Sequence, residues 1–417
     1  MGAVVSRLLP PPPSTLPEAA LVEIFVRLPP HPEFLRRVSF ASKEIREVVT
    51  SRPFLRWFRA KHGDAPPLVG FFRNQTPRFL PTGGRAGVRS DSDRAVAGDG
   101  AGALQQSDEA WLILGTRHGR VLLQSPDRLR LLVVDPMAGR RQYIDTPLWH
   151  RARYPSTAAV VCAPGDAGHG DCRSNPFRIV FVSYTHAFQT AISIYSSATS
   201  QWTRAEIGEE APATPINTMR PSFLIGDILY WPAIFNSILG FNLETHELRE
   251  IPVPVNMHGE DPYAPLNITV MAHTESSLRL VYIRWYRLRV WVSDLVTGVH
   301  VEWAPLLDLT LDSLPSLRIL TNLEVSAMVD RPPVQTVGHD EDENVLYLWT
   351  NAGVFAFQID TMQLNRVLDN CGGMPRMLYP YRSFFLPADG KKSGSDGGGH
   401  GVNNQTQHFW NSWYNIF

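Results

Sequence analysis

A few groups of residues in this 417-residue chain have the types and spacing to do chemistry. Cys162, His169 and Cys172 bring two sulfurs and an imidazole into one short stretch, part of the donor set of a tetrahedral zinc site. The Pro-Gly-Asp-Ala-Gly between them reads as a loop and no fourth donor lies close in sequence, so no metal is expected there. The run His339-Asp340-Glu341-Asp342-Glu343 offers oxygen ligands for a hard cation. It lies between two strand-like runs, however, and reads more simply as a solvated hairpin turn. Arg284, Arg287 and Arg289 flank Trp285 in a stretch that fits either a basic aromatic patch or a strand with one polar and one buried face. There is no Gly-rich phosphate loop with a Lys, no His-Glu-x-x-His, no Gly-x-Ser-x-Gly and no pair of Cys-x-x-Cys. The expectation is a chain with no catalytic residues and no cofactor. Gly2, within Met-Gly-Ala-Val-Val-Ser, fits a myristoylation pattern that also arises often by chance. A single acyl chain would give only weak, reversible membrane attachment.

Composition narrows the class. The apolar fraction is 44% and the formal net charge is −1, values of a globular chain with nothing that calls for nucleic acid or a membrane surface. Cysteines number three, too few and too scattered for a disulfide framework, which fits a reducing compartment, cytoplasm or nucleus. No run approaches the ~18 apolar residues of a membrane span, and no secretory signal is read. The eleven tryptophans are the natural carriers of recognition where they face solvent. Trp231, Trp285, Trp291 and Trp349 fall inside strand-like runs, where packing is the default.

Two kinds of element must position these residues. From Trp111 onward the chain consists of short runs of Val, Ile, Leu, Tyr, Phe and Trp bounded by turn residues, the pattern of antiparallel strands. Pro305 to Leu320 is the one ambiguous segment. A hairpin recurs through Asp135, Ser196, Asn242, Asp294 and Gln358, at separations of 61, 46, 52 and 64 residues. Strands such as 119–125, 177–184, 222–232, 278–285 and 344–350 precede each copy. Four-stranded units at this period suit a β-propeller, with a β-sandwich or a pair of them as the alternative. The run 68–72 and the segment 379–385 are then expected to lie in the same or adjacent blades, because a ring left open would expose a sheet edge.

Before the strands, residues 16–62 hold four short helical pieces. Pro17 suits a first helical position, and Leu21, Ile24, Phe25 and Leu28 recur on one helical face until Pro29 and Pro30 stop the helix. Leu35 and Val38, then Ile45, Val48 and Val49, then Phe54, Trp57 and Phe58 mark the others. Between Ser14 and His62 nine Lys and Arg stand against five Asp and Glu, a surplus suited either to an acidic partner or to a solvated face.

This helical stretch resembles the F-box, carried by Leu16-Pro17, Ile24-Phe25, Arg27-Leu28-Pro29, Leu35, Lys43 and Phe54. Ser42, Lys43, Glu44 and Ile45 stand where the family usually has Cys-Lys-x-Trp. The strand region is similar to the C-terminal domain of plant F-box proteins through Tyr230-Trp231, Asp294 to Gly298, Leu348 to Phe355 and Tyr379 to Phe384. The resemblance implies a multi-domain, α plus all-β chain: an N-terminal F-box at 14–63 and a mainly antiparallel β domain, a β-propeller, at 64–386. Composition adds a Pro-rich lead-in at 1–13, a disordered loop at 82–106 and a tail at 387–417 ending in an aromatic segment. The implied function is a non-catalytic adaptor that docks on a Skp-type protein, and through it a cullin, while the β domain holds an unknown target for ubiquitination. The docking residues it implies are Leu16, Pro17, Ile24, Phe25, Leu28, Pro29, Val38, Lys43 and Ile45. The alternatives are a ligase-independent F-box scaffold, or a propeller enzyme or carbohydrate-binding propeller with an incidental helical N-terminus.

Overall fold

The computed structural model describes residues 16–63, 65–75, 78–82, 110–150, 155–163, 175–184, 189–207, 212, 214–218, 220–234, 237–254, 268–274, 277–294, 302–311, 333–369 and 377–384. Gly2, His169, Cys172, the loop at 83–106 and the aromatic C-terminal segment lie outside them. The chain divides into two compact units, one containing the helices and the other the strands.

In the helical unit each helix starts where a local signal permits it. α1 (Glu18–Phe25) begins after Pro17, and α2 (Pro32–Ser39) begins with His31 accepting the Glu33 amide through Nδ1 at 3.3 Å. α3 (Lys43–Thr50) and α4 (Arg52–His62) are capped by Ser42 Oγ, accepting from Ile45 N at 3.1 Å, and by Ser51 Oγ, accepting from Phe54 N at 3.3 Å. Such caps satisfy amides that the first turn leaves unpaired, typically stabilising by about 1 kcal/mol. Phe25, Val26, Leu35, Val48, Val49, Phe54 and Phe58 form the core, with Leu21, Leu28, Val38 and Ile45 half-buried against it. His62 Nε2 lies 2.9 Å from Val26 O and ties the last helix to the end of the first. The expected helical face is corrected in two ways. α1 ends at Phe25, so Leu28 and Pro29 lie past it, and Ile24 is 50% exposed beside the buried Phe25.

The second unit is a six-bladed β-propeller. β1 (Leu68–Phe72) and β2 (Phe79–Pro81) come first. Blade I is then β3 (Leu112–Arg117), β4 (Arg120–Gln124), β5 (Arg130–Asp135) and β6 (Arg140–Asp145). Blade II is β7 (Thr157–Cys162), β8 (Phe177–Tyr184), β9 (Thr190–Ser196) and β10 (Gln201–Arg204). Blade III is β11 (Phe223–Ile225), β12 (Ile228–Pro232), β13 (Ser237–Asn242) and β14 (Leu248–Pro252). Blade IV is β15 (Ile268–Thr274), β16 (Ser277–Arg284), β17 (Arg287–Asp294) and β18 (Ala304–Thr310). Blade V is β19 (Gln335–Asp340), β20 (Val345–Thr350), β21 (Gly353–Gln358) and β22 (Gln363–Leu368). β23 (Tyr379–Arg382) pairs antiparallel with β1, Phe72 opposite Tyr379, and β1 pairs with β2, so blade VI is built from both ends of the strand region.

The hairpin repeat is the third-to-fourth strand turn of blades I to V. Four residues after each anchor the backbone turns to positive φ at Gly139, Ser200, His246 and Met362, with φ from 55° to 66°. The equivalent position in blade IV, Gly298, is outside the described residues. There the return strand is Ala304–Thr310, which places the start of the ambiguous segment in a strand. Asp135 and Asn242 show why these residue types recur: each carboxylate or amide oxygen accepts two backbone amides of the turn that follows.

Blades adhere through apolar layers. Ile179, Phe181, Leu122 and Leu131 join I to II; Val180, Leu229, Trp231 and Phe241 join II to III; Tyr230, Leu278 and Leu280 join III to IV; Leu288, Leu346 and Phe357 join IV to V. Phe71, Tyr347 and Leu378 join V to VI, Phe71 meeting Tyr347 edge-on at 4.7 Å. Burying each such side chain contributes roughly 1.5–3 kcal/mol. Backbone fits tightly here too: a Cβ on Gly338 of β19 would lie 2.5 Å from Leu378 O, whereas one on Gly115 of β3 would meet nothing within 4 Å. Gly338→Ala should therefore lower stability by roughly 1–3 kcal/mol, as overpacking does, while Gly115→Ala is nearly neutral. Thermal melts of the two variants against the parent check this, and equal melting points for the two would contradict the seam described.

Candidate partner-binding surfaces

The innermost strands, β3, β7, β11, β15, β19 and β23, run the same way along the axis, because each blade is a meander and each crossover returns to the same end. Residues can therefore be sorted to the end where these strands begin or the end where they finish.

At the finishing end the acidic run 339–343 meets arginines. Arg117, its side chain 7% exposed, donates from Nε to Glu341 Oε2 at 2.8 Å and from Nη2 to Glu341 Oε1 at 2.5 Å. The same guanidinium donates to Val160 O at 3.0 Å and Ser222 O at 3.3 Å, and Glu341 Oε1 also accepts the Leu224 amide at 3.0 Å. One ion pair thus joins blades I, II, III and V. Burial alone would push the Arg117 guanidinium down, but the facing Glu341 carboxylate outweighs it and the net direction is up. Asp340, also buried, accepts from Arg382 Nε at 2.6 Å, from the Tyr347 hydroxyl at 3.1 Å and from the Asp342 amide at 3.1 Å. Burial opposes the charge of Arg382 as well, and the attraction of Asp340 reverses it. The expectation of a solvated turn holds for the exposed Asp342 and Glu343 and is corrected for Asp340 and Glu341, whose carboxylates meet the largely buried side chains of Arg382 and Arg117. Among the described residues no group of His, Cys, Asp and Glu is placed to hold a metal ion.

The other candidates sort as follows. Cys162 is buried in β7. Trp231 and Trp349 are buried and Trp291 is half-buried, but Trp285 is not a packed strand residue; it sits in the two-residue turn between β16 and β17 at φ 56°, 47% exposed. Asp308 receives Arg287 at 2.6 and 2.7 Å and Arg289 at 3.5 Å, so these charges are answered within blade IV. In the helical unit Leu16, Pro17, Ile24, Pro29 and Lys43 are exposed; Leu28, Val38 and Ile45 are half-buried; Phe25 belongs to the core and is corrected to that role. Phe34, Phe40 and Trp57 are also exposed large apolar side chains, and the pattern of spacing did not single them out as surface. No helix of the described residues is long and apolar enough to cross a membrane.

Removing one partner of a buried pair leaves the other charge uncompensated, at a cost of about 3–5 kcal/mol when burial is complete. Glu341 is 23% exposed, which lowers the figure. Glu341→Gln should cost roughly 2–4 kcal/mol in denaturant unfolding, and Arg117→Met combined with Glu341→Leu should cost less than the two singles added. Additive singles would show that the pair is not coupled.

A family model described as the F-box protein AT5G49610-like β-propeller matches residues 112–380, from the start of β3 into β23. No curated protein matches the chain. Solved structures with some likeness include the extracellular domain of the BT4673 one component system from B. thetaiotaomicron, at 13% identity and a TM-score of 0.33, covering 62% of this chain and 28% of that one. A structural genomics protein of unknown function from Bacteroides thetaiotaomicron is 12% identical at a TM-score of 0.33, covering 67% of this chain and 62% of that one. SapL1 lectin, solved with alpha methyl fucoside, is 13% identical at a TM-score of 0.33, with 67% and 81% covered. This chain thus spans about a quarter of the first of these proteins (28%). The family match covers most of the chain and nearly the whole ring: the chain belongs to the AT5G49610-like family of F-box protein β-propellers.

Proposed function

We propose that the chain is a substrate-recognition adaptor of a Skp-cullin-F-box ubiquitin ligase. The helical unit docks on a Skp-type protein in the cytoplasm or nucleus, and the propeller holds the target. The observation that carries the reading is the family to which the propeller belongs, together with a small helical unit that has more large apolar side chains than its core can cover. Leu16, Ile24, Phe34, Phe40 and Trp57 stay exposed after the core is built, and the basic surplus of this stretch suits an acidic partner. The chain does no chemistry itself in this reading. It contributes proximity, raising the effective concentration of target lysines near a ubiquitin donor held by the partner subunits.

Ser42 and Ile45 refine the docking surface. Ser42 caps α3, and Ile45 packs half-buried on the core, so this corner serves the fold and docking falls to the exposed Leu16, Pro17, Ile24, Pro29 and Lys43. Affinity purification of the tagged full chain from cells should bring down a Skp-type protein and a cullin. Ile24→Asp, at a half-exposed position, should reduce that recovery at least tenfold while leaving the melting point unchanged. Recovery of neither protein with the parent chain, or equal recovery with the variant, would overturn the reading.

A further inference from the structure

Large apolar side chains of the propeller are unevenly exposed. Leu112 opens β3, Leu129 lies in the turn before β5, Leu148 and Trp149 follow β6, Ile234 follows β12, and Trp285 sits in the turn after β16. All of these positions fall at the end of the ring where the innermost strands begin. Leu148 is 99% exposed and Trp149 donates its indole N–H to Ser193 Oγ at 3.0 Å, which fixes its ring at the surface. At the finishing end the turns between strands expose Met362 among the described residues, while Tyr143 and Leu306 lie within strands. Exposed apolar side chains gathered at one end mark a surface that meets another molecule.

The charge at this end tells what that molecule carries. Arg220 precedes β11, and its Nη1 donates to Thr336 O, near the start of β19, across 3.4 Å. Among the described residues it meets no carboxylate, although a guanidinium has five N–H donors and a planar fork suited to two oxygens. Burial pushes it down to about 10, with the nearby Tyr379 hydroxyl acting the other way, so it remains a cation at neutral pH. Arg117, Arg279, Arg287 and Arg382 each face an Asp or Glu of their own. A partly desolvated cation without an anion is unfavourable, and an incoming carboxylate relieves it.

We propose that this end of the ring binds an acidic protein segment, an Asp or Glu flanked by large apolar side chains, with the carboxylate held on Arg220. The surroundings favour a peptide over nucleic acid, because the exposed groups that share this face with Arg130, Arg284 and Arg287 are large apolar side chains, Leu112, Leu129, Leu148 and Ile234, which a phosphate backbone does not cover. This inference rests on the reading that the propeller receives a target, and it names the chemistry of that target.

The test uses the full chain, immobilised and panned against a display library of random twelve-residue peptides. Enriched peptides should contain Asp or Glu next to Leu, Ile, Phe or Trp. For a synthetic copy of one of them, replacing the acid by its amide should weaken binding at least tenfold to the parent chain and less than twofold to Arg220→Gln. Arg220→Lys, which keeps the charge and loses the fork, should fall between the two. Should Arg220→Gln fail to fold, the acid-to-amide change on the parent chain and the Arg220→Lys chain still decide the matter. Enrichment of basic or purely apolar peptides, or amide and acid binding alike, overturns the proposal, as does undiminished binding by a folded Arg220→Gln. Recovery of a Skp-type protein with failure here removes this inference alone; success here without that recovery leaves the peptide site standing and removes the ligase reading.

Discussion

The antiparallel pairing of β1 with β23 is the contact on which the rest of the propeller depends. Blades I to V are each made by one continuous piece of chain, and each buries its faces against the next. Without the last blade, β3 on one side and β19 on the other would face water with their apolar layers uncovered. Blade VI prevents this by joining Leu68–Phe72 to Tyr379–Arg382 over some three hundred residues of sequence. Aromatic packing supports the join: Phe72 meets Phe79 at 4.8 Å and Tyr381 at 5.3 Å. Closing so long a loop is entropically costly, but that cost rises only with the logarithm of loop length, whereas the burial it permits grows with every blade seam.

A closed ring lets its two ends specialise. At the finishing end the acidic turn after β19 is spent on Arg117 and Arg382, tying blades across the axis with charges that answer one another. At the starting end Arg220 meets no carboxylate among the described residues, and Leu129, Ile234 and Trp285 stand exposed. The two ends therefore differ in how these arginines are met: Arg117 and Arg382 face carboxylates at one end, and Arg220 faces none among the described residues at the other. The end that carries Arg220 is where recognition is proposed, and the ion pairs at the other end support it by keeping the blades in register.

Much of this was legible in the residues. The blade repeat could be aligned because a turn of fixed length needs an oxygen acceptor at its first position, as at Asp135 and Asn242, and a positive-φ residue four further on, as at Gly139. Ring closure followed from the cost of an open edge. What spacing could not show was which charges meet. Arg117 and Glu341 are over two hundred residues apart, so Asp340 and Glu341 looked solvated when each answers an arginine. Trp285 looked like a packed strand residue because alternation does not say where a two-residue turn falls. Arg220 gave no signal, since a lone arginine in a loop becomes unusual only when its surroundings are known. In the helical stretch the period placed Ile24 with Phe25 on one face, but four short helices crossing one another cover only part of any face, and Ile24 was left outside.

Everything proposed for the propeller needs it to be one closed, rigid body, and native-state hydrogen exchange reads this directly. In a closed ring the amides of β1 and β23 open only with the whole domain, so their exchange free energies should equal those of buried strands such as β8 and β12. Amides of β1 and β23 that exchange orders of magnitude faster, while the other five blades keep their protection, would contradict the account.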